Sequence, residues 1–246
     1  MNKLVRLLGG VLLYGRICVA DEGAQPTPFS TATPGEHLPA GWAVTTVAKI
    51  PRATVYDLVR DGEDTVLRAT ADASAASATH KLDVDPKTSP WLSWRWKVSR
   101  VLDKADLASK AGDDYAARVY VFFDYDIGRL PFLERSKIAL ARLVYGTDLP
   151  AATLCYVWDN RYPVGTRTWS AYTDRVRMIV LESGAAKVGQ WVRESRDVAA
   201  DFRAAFGDEP PSISGVALAT DTDNTGERAV SYFGDVEFQP SPKSRP

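Results

Sequence analysis

The chain has 246 residues, 45% of them hydrophobic and 25% charged, enough to bury the core of one large β domain or two small ones. Its formal net charge is −1; without the first twenty residues, which carry Lys3, Arg6 and Arg16, it holds 27 basic against 31 acidic residues, or −4. That balance excludes phosphate-backbone binding as the default function, so no nucleic-acid partner is expected.

The N-terminus reads as a secretory signal over residues 1–20. Lys3 and Arg6 supply the positive start, Leu7 to Tyr14 the apolar stretch, and Cys18-Val19-Ala20 small residues at the cleavage positions. The apolar stretch is too short to span a bilayer, so no membrane span is expected once the signal is removed. Arg16 interrupts the pattern, and Arg16-Ile17 before Cys18 lacks the small residue that lipid attachment requires. A periplasmic or secreted location is the expectation. Cys155 is then the sole cysteine, which leaves no internal disulfide, and His37 and His80 share no metal spacing.

Residues 21–40 are rich in Pro, Thr, Ser and Ala and read as a flexible leader; 239–246 read as a disordered tail. Between them, 41–238 is expected to be one domain. Ala53 to Arg60, the turn Asp61-Gly62-Glu63-Asp64 and Thr65 to Thr70 read as a hairpin. Leu92, Trp94, Trp96 and Val98 alternate with Ser93, Arg95 and Lys97, and Val119, Val121 and Phe123 alternate likewise. Further strands are expected at Thr153 to Trp158, Val176 to Leu181, Gln190 to Arg196, Ile213 to Thr220 and Val230 to Phe238. Helices are expected at Pro131 to Tyr145, which starts on a favourable proline, and at Ala199 to Phe206, stopped by Gly207. Many uneven strands and two short inserted helices predict an all-β fold, an antiparallel β-sandwich of jelly-roll type. A monomer is expected.

Four groups of residues carry candidate chemistry. Asp221-Thr222-Asp223-Asn224-Thr225-Gly226 matches D-x-D-x-x-G, where alternate oxygens converge on a hard cation such as calcium. The same residues favour a metal-free turn, and the twelfth position is Tyr232 instead of Glu. Asp113 and Asp114 adjoin at a strand mouth, where they serve as ligand or acid–base groups, or pair with Arg118 as a structural ion network. Of seven tryptophans, Trp94 and Trp96 share the apolar strand face, while Trp158 and Trp169 lie near strand ends where rings stack on sugars. Asp159 and Arg161 place an acid and a base beside Trp158. Arg193, Glu194, Arg196 and Asp197 are expected to pair across a solvated sheet face. No Gly-x-Ser-x-Gly, phosphate-binding Gly loop or Cys/His pair appears.

The ordered set Trp94-Arg95-Trp96-Lys97-Val98, Gly112 to Val119, Tyr156-Val157-Trp158, Arg196-Asp197-Val198, Thr220 to Gly226 and Gly234-Asp235-Val236 resembles the bacterial domain-of-unknown-function 3047 family over about Gly41 to Phe238. The resemblance implies an exported β-rich protein and carries no activity. A looser likeness to carbohydrate-binding jelly rolls, which commonly hold a structural calcium, comes from the closing strand, polar loop and Gly-Asp strand. The expected function is therefore a non-catalytic exported module binding a glycan or cell-envelope component. Trp158, Asp159, Arg161, Trp169, Asp113 and Asp114 would contact ligand, and Asp221, Asp223 and Asp235 a calcium ion. The alternatives are a polysaccharide hydrolase or lyase drawing on Asp113, Asp114, Asp159 and Asp221, and a structural envelope protein.

Overall fold

A computed structural model describes residues 25–35, 37–47, 50–132, 135–136 and 151–242. The signal segment and most of the expected helix at Pro131 to Tyr145 lie outside the described residues.

The described chain is mostly strand and forms two sheets. The strands are β1 (Trp42–Thr46), β2 (Val55–Asp61), β3 (Asp64–Asp72), β4 (Ala76–Val84), β5 (Trp91–Val98), β6 (Tyr115–Phe123) and β7 (Ala152–Asp159). They continue with β8 (Arg167–Ser170), β9 (Thr173–Ser183), β10 (Val192–Asp197), β11 (Ile213–Asp221), β12 (Arg228–Phe233) and β13 (Glu237–Gln239). One sheet runs β1-β4-β11-β6-β7-β9-β8; the other runs β10-β5-β12-β3-β2, with β13 also on β5. The expectation of a wholly antiparallel sandwich is corrected at one place: β7 and β9 are parallel, with Cys155 opposite Met178. A parallel pair needs a longer connection than a hairpin, and here β8 and its loops make the return.

Side-chain alternation explains the layers. Leu92, Trp94, Trp96 and Val98 of β5 and Leu154, Tyr156 and Trp158 of β7 point into one shared hydrophobic cluster. Trp94 meets Trp96 edge-on at 5.5 Å between ring centroids, and Trp96 lies 5.9 Å from Trp158. Each such fully buried aromatic is worth about 3–5 kcal/mol against truncation to Ala. A second cluster, with Leu107, Tyr115, Cys155, Val157, Met178 and Val180, covers the opposite face of the larger sheet.

The α-helix α1 (Val198–Phe206) closes one end. The Asp197 carboxylate caps it by accepting from Ala200 N at 2.8 Å, and Gly207 ends it. Phe202 fills the space beside Phe123, with ring centroids 4.5 Å apart. Arg196 does not lie on a solvated face as expected. It turns to Asp201 of α1, which is buried and also accepts from Arg167 and Tyr156 Oη.

The described part of the leader is docked, which corrects the expectation of a flexible 21–40 segment. Phe29 is fully buried against Trp42, with ring centroids 4.8 Å apart. Gln25 exchanges two hydrogen bonds with the Phe238 backbone, at 2.7 and 2.8 Å. Composition pointed to disorder, but a single aromatic residue with a slot to fill outweighs it. No helix among the described residues is long and apolar enough to cross a membrane.

Candidate functional site

The first turn toward β6 and the loop leaving β11 come together because β6 and β11 are paired neighbours, with Tyr115 opposite Asp221. Asp113 and Asp114 precede one strand; Asp221 ends the other and Asp223 follows it. Adjacent strands running in opposite directions thus deliver four carboxylates to one rim.

Arg118, buried on β6, is the hub. Its Nε donates to Asp221 Oδ1 at 2.9 Å and its Nη2 to Asp221 Oδ2, a two-pronged contact. The same Nη2 donates to the Asp113 backbone carbonyl, and Nη1 lies 3.5 Å from Asp113 Oδ1 and donates to Tyr120 Oη at 3.1 Å. The guanidinium sits over the Tyr115 ring, 4.4 Å from its centroid. Tyr115 N donates to Asp221 Oδ1 at 3.2 Å.

Asp114, fully buried, organises the loop after β11. Its Oδ2 accepts from Thr225 N at 2.6 Å and its Oδ1 from Asn224 Nδ2 at 3.2 Å. Gly226, at φ 69°, closes that loop in the left-handed region, and its N donates to Thr222 O at 2.9 Å. The Tyr172 hydroxyl lies 3.2 Å from both Asn224 Oδ1 and Lys110 O, with Lys110 Nζ over its ring. Tyr172 is 54% exposed, which leaves ring surface facing solvent beside the carboxylates.

One carboxylate oxygen each from Asp114, Asp221 and Asp223 lie within 4.8 Å of one another. Burial pushes Asp221 up to about 8; Arg118 pulls against this, while the carboxylates of Asp114 and Asp113 add to it. Burial likewise raises Asp113, opposed by Arg118 and reinforced by Asp114. Asp223 is raised by burial and then by Asp114. Four acids face one guanidinium at this rim, so bound protons or a hard cation would balance the excess. Oxygen ligands at this spacing suit calcium or magnesium.

The other candidate residues stand elsewhere. Asp235, expected beside Asp221 and Asp223, instead holds the leader, accepting from Phe29 N at 2.7 Å and from Ser30 N at 3.0 Å. Asp114 takes its place in the triad. Trp158 is buried in the shared core and donates from Nε1 to Gly184 O at 3.2 Å, which leaves no ring face for a sugar. Asp159 Oδ1 caps the turn after β7 by accepting from Arg161 N at 2.8 Å and Tyr162 N at 2.6 Å, and burial raises its carboxyl. Arg161 reaches Asp106 at 3.3 Å and the Ala105 carbonyl at 3.1 Å. Trp169 is half-buried between Phe206 and Arg177, 5.5 Å and 4.8 Å from its ring. Sequence reasoning missed Tyr172, since a tyrosine at a hairpin turn carries no motif.

The family model described as "Protein of unknown function (DUF3047)" matches residues 40–237. No curated protein matches the sequence. A β-1,2-glucanase from Parabacteroides distasonis aligns at TM-score 0.40 and 11% identity over 82% of this chain and 23% of that one. The xyloglucanase domain of NopAA, a type three effector from Sinorhizobium fredii solved with cellobiose, aligns at TM-score 0.40 and 9% identity over 86% and 99%. An exo-β-agarase aligns at TM-score 0.36 and 9% identity over 90% and 25%. This chain thus spans about a quarter of the glucanase and of the agarase. Likenesses this low carry no argument about function.

Proposed function

The chain belongs to the family of proteins of unknown function DUF3047, and from that premise we propose an exported, non-catalytic β-sandwich module, jelly-roll in type, that binds a glycan or other hydroxyl-rich cell-envelope component with the help of a divalent cation. The carrying observation is the convergence of Asp114, Asp221 and Asp223 within 4.8 Å beside the exposed ring of Tyr172. Calcium takes six to eight oxygens, so three carboxylates leave positions that vicinal sugar hydroxyls fill. A flat aromatic at the rim gives a sugar ring something to pack on. Asp113 and Arg118 hold the cage in place.

The test is a calcium titration by calorimetry, paired with a glycan array run with calcium and with chelator. Chelator-sensitive retention of a glycan, lost in Asp223→Asn, is the expected result. No calcium uptake and no glycan above background would remove the proposal. Cell fractionation with and without residues 1–20 tests export.

A second reading is supported by one observation. Asp113 and Asp221 both flank Arg118, and burial holds the Asp221 carboxyl up to about 8, as the general acid of a hydrolase or lyase requires, with Asp113 beside it as the candidate base. Release of reducing ends from envelope polysaccharides, abolished by Asp113→Asn, would favour it over the binding module.

A further inference from the structure

We propose that Arg167 and Arg177, on the inner face of β8 and β9, bind a carboxylate-bearing sugar chain at a second site that needs no metal. The two strands lie at one edge of the larger sheet, with β8 outermost. Arg167 stands opposite Ile179 and Trp169 opposite Arg177, and directly opposed partners share a face. Ile179 belongs to the shared core, so this is the inner face, across the sheet from the cluster that holds Tyr115. Opposite β8 stands α1 instead of a strand: Phe206 packs on Trp169, and Asp201 accepts from Arg167. The helix leaves the Arg167 side chain 42% exposed.

Charge at this edge is the reverse of that at the aspartate rim. Arg167, Arg175, Arg177 and Arg196 gather beside α1, and one buried carboxylate, Asp201, answers them. Arg196 binds both oxygens of Asp201, while Arg167 reaches it through Nη2 alone. Arg175 lies 5.0 Å from the Tyr125 ring centroid and 5.1 Å from that of Phe206, and it donates from Nε to the Ala151 carbonyl. Its Nη2 is buried without a hydrogen-bond partner among the described residues. Arg177 lies 4.8 Å over the Trp169 ring and, among the described residues, meets no carboxylate. The neighbouring pairs Arg129–Asp208 and Arg203–Glu209 cancel themselves. Glu194, two residues from Arg196, stands opposite Trp94, and burial, then Glu182, raises its carboxyl to about 7, which removes part of its charge. By sequence, residues 133–150 add Glu134 and Asp148 against Arg135, Lys137 and Arg142, so they bring no surplus of acid. An anion is what this edge lacks.

The geometry selects the kind of anion. Stacking on an indole holds a guanidinium flat with its N–H edge outward, which suits the plane of a carboxylate. Diagonal neighbours in an antiparallel ladder stand roughly 7–8 Å apart, so Arg167 and Arg177 suit charges repeated along a chain better than one small ion. The class of polymer rests on the glycan reading above; the site does not rest on the cation.

The test is calorimetry of the full chain in chelator, with tri-galacturonate, the uncharged trisaccharide of the same linkage, inorganic phosphate and hexa-glutamate as probes. Tri-galacturonate should bind, less tightly as salt rises, and the uncharged trisaccharide should not. Arg177→Gln should weaken binding about tenfold or more, because a charge-assisted contact is lost. Arg177→Lys should recover only part of it, since a point charge replaces the fork. Arg193→Gln, at an exposed position of β10 one residue out of phase with Glu194, should bind like the wild type. No binding of tri-galacturonate, binding unaltered in Arg177→Gln, or equal affinity for the uncharged trisaccharide, phosphate or hexa-glutamate would overturn the inference. Chelator silences the aspartate rim, so failure of the calcium reading leaves each of these outcomes unchanged.

Discussion

Arg118 shows how one side chain sets the chemistry of a rim. It is the hub among the four carboxylates, and its guanidinium is held by Asp221, the Asp113 carbonyl and the face of Tyr115. Replacing Arg118 with Met strands two buried acids without their cation, a change that costs about 3–5 kcal/mol. Chemical denaturation would measure it, and an unchanged midpoint would show the ion pair to be idle. Asp221 adds a pH signature. Its carboxyl is raised to about 8, so the proton favours the fold and the stability it supplies fades as pH rises toward that value. A cation competes with that proton, so calcium affinity should strengthen as pH rises toward the raised value, by up to about tenfold per pH unit, and level off above it. Terbium luminescence across the same range checks the slope.

At the scale of elements, the ends of strands matter more than their middles. Asp201 anchors α1 by accepting from Arg196, Arg167 and Tyr156 Oη, tying the helix to both sheets. Asp201→Ala should cost about 3–5 kcal/mol, because it leaves a half-buried arginine and a buried hydroxyl unpaired. Proteolysis near Gly207 should then precede global unfolding. Strands with large alternating side chains, such as β5, β6 and β7, were legible in the sequence because tryptophan, valine and phenylalanine mark the inward face. β4 was not. Its inward positions include Ala76 and Ala78, whose small apolar side chains barely register as a pattern. β12 and β13 read as one strand, yet Gly234 and Asp235 break them so that Asp235 can reach the leader. The acid rim was half legible: Asp221 and Asp223 announce themselves by spacing. Asp114 joins them only through the β6–β11 pairing, which no local pattern encodes.

The whole molecule is bound across its length by its own leader. Gln25 meets Phe238, Thr27 O accepts from Trp42 Nε1 at 2.9 Å, and Asp235 gathers Phe29 and Ser30. Phe29→Ala should lower stability by about 3–5 kcal/mol, an amount that calorimetry resolves easily. Composition hid this, since Pro, Thr and Ser describe how a segment behaves alone and say nothing of a slot waiting for one ring.

Family recognition begins at residue 40, eleven positions after the ring that seals the fold. A fragment trimmed to that boundary would carry every residue by which the family is known and still lack its plug. Such a piece should come out of cells misfolded or sticky, and supplying residues 25–35 as a separate peptide should restore order, much as a missing cork restores a bottle.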